Sequence, residues 1–186
     1  MDITSAQQDM RAGYHNGATG MLVSGIVWLA ATCSVLLISV QASAMVLFFG
    51  GMLIFPLSVV LARAFGCPGK HTPENPLSSL AMESTVVLFV GLLIAFVMLS
   101  SQPWLFYPVM LLTIGVRYLL FQTLYGLKIY WLVGIVLMAG GAAGMSIRLP
   151  AYLTAGYGAA VELVSALLLL TSVARSDKPA TPPKSE

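Results

Sequence analysis

The sequence predicts an all-α fold, an integral membrane bundle of six transmembrane helices with both termini cytoplasmic and a short interfacial helix at the N-terminus. Composition is the first reason: 58% of the 186 residues are hydrophobic and 9% charged, where a soluble domain carries about 25% charged residues. Such a chain cannot cover itself with polar surface. The second reason is six apolar runs near the roughly 20 residues that a helix needs to cross ~30 Å of hydrocarbon. The third is the placement of Lys and Arg, which accumulate in cytoplasmic loops. With the N-terminus inside, the inner side holds Arg11, Arg63, Lys70, Lys128, Arg175, Lys178 and Lys184, and the outer side only Arg148.

The organisation expected is a cytoplasmic or interfacial segment at 1–19, a six-helix transmembrane domain at 20–174, and a disordered cytoplasmic tail at 175–186 rich in Pro, Lys and Ser. In the first segment Ile3, Ala6, Met10 and Tyr14 recur at helical spacing, with Gln7, Asp9 and Arg11 on other faces. It either lies on the inner membrane surface or extends the first span into the cytoplasm. The run 13–20, with three glycines and Asn16, marks a bend between the two, and His15 reads as an interfacial polar residue rather than a ligand.

The first span is expected at 20–40. Ala42-Ser43-Ala44 after it has the small-x-small look of a signal-peptidase site, but signal h-regions run about 7–15 residues, so the longer run here reads as a retained helix. The second span, 44–64, carries Gly50-Gly51 and then Pro56. Proline lacks an N–H and clashes with the preceding turn, which predicts a kink and frees the carbonyl of Met52. Freed carbonyls line sites in some transporters, although proline is also plain geometry in membrane helices.

The connection 66–76 holds three prolines and two glycines, a stiff loop. Cys67, His71 and Glu74 within it lack metal-ligand spacing, and no metal or cofactor is expected. Cys33, inside the first span, reads as a buried free thiol. The remaining spans fall at 77–99, 105–125, 130–147 and 152–174. Short connections between them make sequential helices antiparallel neighbours. Trp104, Phe106, Tyr107 and Tyr152 mark the outer interface, and Tyr14, Tyr125, Tyr130 and Trp131 the inner one.

Three ionisable residues, Glu83, Arg117 and Glu162, lie inside these spans. A charge at the membrane centre costs ~2.5–3.5 kcal/mol on insertion scales, so such residues face the bundle interior and pair. Glu83 stands roughly 9 Å and Arg117 roughly 12 Å from the inner ends of their helices, at 1.5 Å per residue. Those depths match well enough for a pair across the third and fourth spans. Glu162 lies further out, on a face shared with Ala155, Gly158, Ala159, Ser165 and Ala166. Small residues let membrane helices approach closely, so Glu162 points at protein, with the fifth span and its Gly134, Gly140, Gly141 and Gly144 as a matching groove. Tyr118, Gln122, Thr123 and Tyr125 extend a polar path from Arg117 towards the inner side. Tyr118 and Gln122 share a face, and Arg117 is turned about 100° from Tyr118.

The stretches Asp9-Met10-Arg11-Ala12-Gly13-Tyr14, Ala81-Met82-Glu83-Ser84-Thr85, Arg117-Tyr118-Leu119, and Thr123-Leu124-Tyr125-Gly126 followed by Tyr130-Trp131 resemble an uncharacterised family of small bacterial polytopic membrane proteins, a domain of unknown function. The resemblance covers nearly the whole chain. It implies a bacterial setting in the cytoplasmic (inner) membrane and brings no catalytic or binding residue with it.

Several function classes are disfavoured by what is missing. Scattered basic residues and a net charge of +2 leave no electrostatic footprint for nucleic acid. Catalysis is disfavoured because HExxH, GxSxG, a His cluster and an intramembrane Asp pair are all missing. Two readings remain. One is a carrier or channel for a small polar or anionic solute, in which Glu83, Arg117 and Glu162 form an ion-pair or binding centre supported by Tyr118, Gln122 and Pro56, with Arg117 attracting the solute or holding a glutamate for proton exchange. The other is a non-transporting scaffold or partner subunit whose buried charges fix helix register. Lipid is a partner in both, and a homo-oligomer is compatible with either.

Overall fold

The computed structural model describes residues 1–176, with side chains to Ser172. In chain order the helices are α1 (Ile3–Gly13), α2 (Ala18–Leu37), α3 (Val40–Ala64), α4 (Leu77–Ser101), α5 (Phe106–Tyr125), α6 (Ile129–Ser146) and α7 (Ala151–Ser176), with short 3-10 turns at His15–Gly17 and Pro103–Leu105. No strand occurs among the described residues. Among the described residues six helices are long and apolar enough to cross a membrane, so the protein is a helical, multi-pass membrane protein. Beyond Ser176, the tail expected to be disordered lies outside the described residues.

Capping residues set boundaries that hydropathy misplaces. Ser39 accepts a hydrogen bond from the Ala42 amide at 3.1 Å and thereby starts α3 at Val40. Residues 41–43, expected as a connection, are therefore the first turn of α3, and Ser43 and Ala44 are fully buried. α3 then continues through Pro56 as one helix. α5 ends on Gly126 in the left-handed region (φ 67°), a conformation that glycine adopts without penalty.

The bundle is built from two layers of contacts. α2 packs on α3 and α7, α5 packs on α4 and α6, and α7 joins the halves by touching both α6 and α5. The expectation that every consecutive pair lies side by side fails at α3 and α4. These scarcely meet, and their ring contact is between Phe48 and Phe96, 5.8 Å between centroids. The segment between them is long enough to let them separate. Both present apolar side chains outward, among them Phe49, Leu53 and Phe55 on α3 and Phe89, Leu93 and Val97 on α4. Cys33 is also exposed on α2 rather than buried. In lipid an outward thiol carries little penalty, because the surroundings are as apolar as a core.

Helix approach depends on glycine at a few points. A Cβ on Gly115 of α5 would lie 2.8 Å from the carbonyl oxygen of Gly134, and one on Gly134 of α6 would lie 2.7 Å from that of Gly115. The α6 groove therefore belongs largely to α5. Gly141 likewise faces Pro108 and Leu112. The small-residue face of α7 seats chiefly on α2 instead, where Gly158 lies under the Trp28 ring. Only Gly140 and Gly144 meet α7, through Tyr157 and Thr154.

α1 does not extend α2. His15, Asn16 and Gly17 all have positive φ (51°, 57° and 79°), which breaks the helix and lays α1 across the end of the bundle. Ala6 and Met10 are buried there. The Gln7 amide donates to the carbonyl of Thr123 at 2.8 Å, and Arg11 donates to that of Tyr125 at 2.6 Å. These are carbonyls that the C-terminal turn of α5 leaves without helical partners. Asp9 accepts from the Thr72 amide (2.9 Å), the Thr72 hydroxyl (2.8 Å) and the Asn75 amide (2.7 Å). Those bonds, the Asn75 one foremost, hold its carboxyl below the ordinary aspartate value. Tyr14 completes the latch through its hydroxyl, 2.9 Å from His71 Nδ1.

Candidate functional site

Among the described residues, Glu162 is the one carboxylate that the fold draws into the middle of the bundle. It is 0% exposed, held on α7 among the small residues that let α2 approach. Its depth matches that of Tyr118: they stand roughly 17 and 18 Å along α7 and α5 from the starts of those helices, at 1.5 Å per residue, and both helices start at the same face. The Tyr118 hydroxyl donates to Glu162 Oε1 at 3.2 Å. Ser24 of α2 brings its hydroxyl to the same carboxyl. The second oxygen, Oε2, is buried without a hydrogen-bond partner.

Arg117 approaches but does not close on this carboxyl. It is half-buried and within electrostatic reach of Glu162. Its Nε is nonetheless buried and unpartnered, and its guanidinium rests over the Phe121 ring at 5.1 Å, a cation–π contact. The cause is the helical turn of about 100° between neighbours: with Tyr118 aimed at α7, Arg117 must flank the site. Glu83 is not part of it. It is exposed on α4, while its neighbour Ser84 takes the buried position, and no Glu83–Arg117 pair forms among the described residues.

The supporting residues divide in the same way. Tyr118 is in the site. Gln122, half-buried, lines an open groove with Lys128 and Trp131 at the α1 end of the bundle. Pro56 is exposed on α3, a helix that packs on α2 rather than on α7. Sequence reasoning missed Ser24, which only the α2–α7 packing brings to the carboxyl. It placed Tyr118 and Tyr125 on one polar path but missed Tyr130 of α6, whose ring stacks on both, at 5.9 Å and 5.3 Å.

Elsewhere in the chain, His15 Nδ1 lies 3.4 Å from Cys67 Sγ, and among the described residues no three His, Cys, Asp or Glu side chains gather as metal ligands would. Glu74 is exposed. On the far side of Glu162, Tyr107 and Ser43 share a hydrogen bond between their hydroxyls, and the Trp28 indole N–H is buried without a partner. Chemically, the centre holds a carboxyl with one oxygen engaged and one free, and beside it a cation with a free donor. That set can bind a small hydrogen-bonding solute or exchange a proton.

No curated protein and no solved structure matches this chain. One family model does, across residues 3–172. The chain therefore belongs to DUF7010, a family of unknown function.

Proposed function

We propose that this protein is a carrier for a small polar or anionic solute, working in a cytoplasmic membrane with both termini inside, α1 at the cytoplasmic interface and Glu162, Tyr118 and Arg117 as its intramembrane centre. One observation carries the reading: Glu162 Oε2 and Arg117 Nε are both buried with unused hydrogen-bonding capacity, within electrostatic reach of one another and yet unpaired. A buried polar atom without a partner is costly and uncommon in native proteins, and ionisable groups inside a membrane mark solute paths and proton relays. A charge pair kept only for helix register would gain by closing. This one does not close: the Arg117 guanidinium rests on the Phe121 ring instead.

The test is uptake by proteoliposomes of chloride, phosphate and acetate under imposed ion gradients, with wild type, Arg117→Ala and Glu162→Gln. The expected result is flux of at least one of these anions, abolished by Arg117→Ala and strongly reduced by Glu162→Gln, in variants that retain the helical circular dichroism of the parent. If both variants fold and no flux differs from empty liposomes, the carrier reading falls, and the buried charges serve helix assembly as they would in a scaffold.

A further inference from the structure

α5 ends at Tyr125 and α6 begins at Ile129, so a tight turn brings Gln122, on the last turn of one helix, beside Lys128 and Trp131 at the start of the other. The three side chains line an open groove of about 310 Å³. Each presents a hydrogen-bond donor: the Lys128 ammonium, the Gln122 amide and the Trp131 indole N–H. Among the described residues none of these donors has a hydrogen-bond or ion-pair partner, and no carboxylate lines the groove. The positive end of the α6 dipole lies at the same place, where no side chain caps the helix. Apart from the Gln122 amide oxygen, these side chains offer no good acceptor. Their chemistry is that of an anion site.

The bilayer decides which anion fits. Trp131, Leu132 and Ile135 are all exposed on a helix that is long and apolar enough to span the membrane. Ile135 lies roughly 10 Å beyond Lys128 along the helix, at 1.5 Å per residue. The donors therefore sit at the head of an apolar strip that runs into the hydrocarbon, with an indole at the boundary, where tryptophan favours the headgroup level. A soluble anion would use the donors and leave the strip idle. A phospholipid uses both. A choline headgroup carries the same phosphate but brings a quaternary ammonium beside Lys128, with no carboxylate to receive it, so a headgroup of net negative charge is the better match.

We infer that the groove of Gln122, Lys128 and Trp131 binds the phosphate headgroup of an anionic phospholipid, whose acyl chain lies along Leu132 and Ile135. In the topology proposed above this lipid belongs to the cytoplasmic leaflet, where anionic headgroups attract basic side chains. The site uses neither Glu162 nor Arg117, so it stands or falls apart from the carrier reading.

The experiment titrates the full-length protein in detergent micelles with phosphatidylglycerol or phosphatidylcholine whose acyl chains are brominated and quench tryptophan on contact. The chain has three tryptophans; Trp28 is buried, Trp104 lies at the opposite end of α5, and the part of the quench lost in Trp131→Phe belongs to Trp131. Phosphatidylglycerol is expected to quench that part at about 5-fold lower concentration than phosphatidylcholine, the factor equivalent to the roughly 1 kcal/mol that one lysine contributes at an anionic surface. Lys128→Gln should abolish the preference. Lys70→Gln, which removes an exposed charge at the same end but outside the groove, should keep it. Equal quenching by the two lipids, or the same loss in Lys70→Gln as in Lys128→Gln, would reduce the effect to general surface attraction and overturn the inference. Release of the quench by millimolar inorganic phosphate at constant ionic strength would make the groove a soluble-anion site and overturn the lipid assignment.

Discussion

Replacing Asp9 by Ala should detach α1 from the bundle without unfolding the spans. Asp9 accepts three hydrogen bonds of 2.7 to 2.9 Å from Thr72 and Asn75, and bonds to a charged group contribute about 1.5–3 kcal/mol each. The carboxyl is half-exposed, so water replaces much of that when the contacts are lost. A net cost of about 2–3 kcal/mol remains, falling on the local opening of α1, because the six spans are held by separate packing. At about 1.4 kcal/mol per factor of ten, the open population rises roughly 30- to 150-fold. Hydrogen exchange with mass spectrometry on the full chain reads this directly: peptides covering α1 and the Thr72–Asn75 loop should lose protection together, while those from α2 and α7 do not change. Asp2→Ala is the control, since Asp2 caps only the first turn through the Ser5 amide, and it should fray that turn alone. Unchanged protection in Asp9→Ala, or uniform loss across all helices, would refute the idea that a discrete polar latch holds α1.

Acid should mimic that substitution with a defined sign. The Asp9 carboxyl is held below 3.8 in the folded protein, so its stabilisation is fully present above the ordinary aspartate value and is lost as pH falls through the lower, folded one; α1 exchange, corrected for intrinsic rates, should stay level from neutral pH to about pH 4 and accelerate only below it. Gly134→Ala forces apart α5 and α6 at the Gly115 carbonyl and should cost about 1–3 kcal/mol in reversible detergent unfolding, whereas Gly51→Ala, where an added Cβ meets nothing within 4 Å, should be neutral. Glu83→Gln should shift the same unfolding measurement by less than about 0.5 kcal/mol, the range of surface substitutions; a larger loss would mean that Glu83 has a buried partner after all.

What could be read from the sequence alone was whatever depends on the solvent. Six apolar runs, few charges and the expense of breaking backbone hydrogen bonds in lipid leave helices as the available answer, so the six spans and their approximate limits followed from hydropathy. The small-residue stripe around Glu162 correctly pointed that side chain at protein, because in a membrane close packing must be made by small residues. Tertiary structure decided which helix each stripe meets. Apolar patterning in lipid has no inside and outside to distinguish, so nothing in the α6 glycines said that they serve α5, or that the α7 stripe would take Trp28 of α2. The same ambiguity let Glu83 and Arg117 look paired by depth, when a rotation of one residue exposes the first and swings the second onto Phe121. Depth is a local property of a helix, set by 1.5 Å per residue; azimuth is set by the partners against which the helix packs, and only the assembled bundle fixes those.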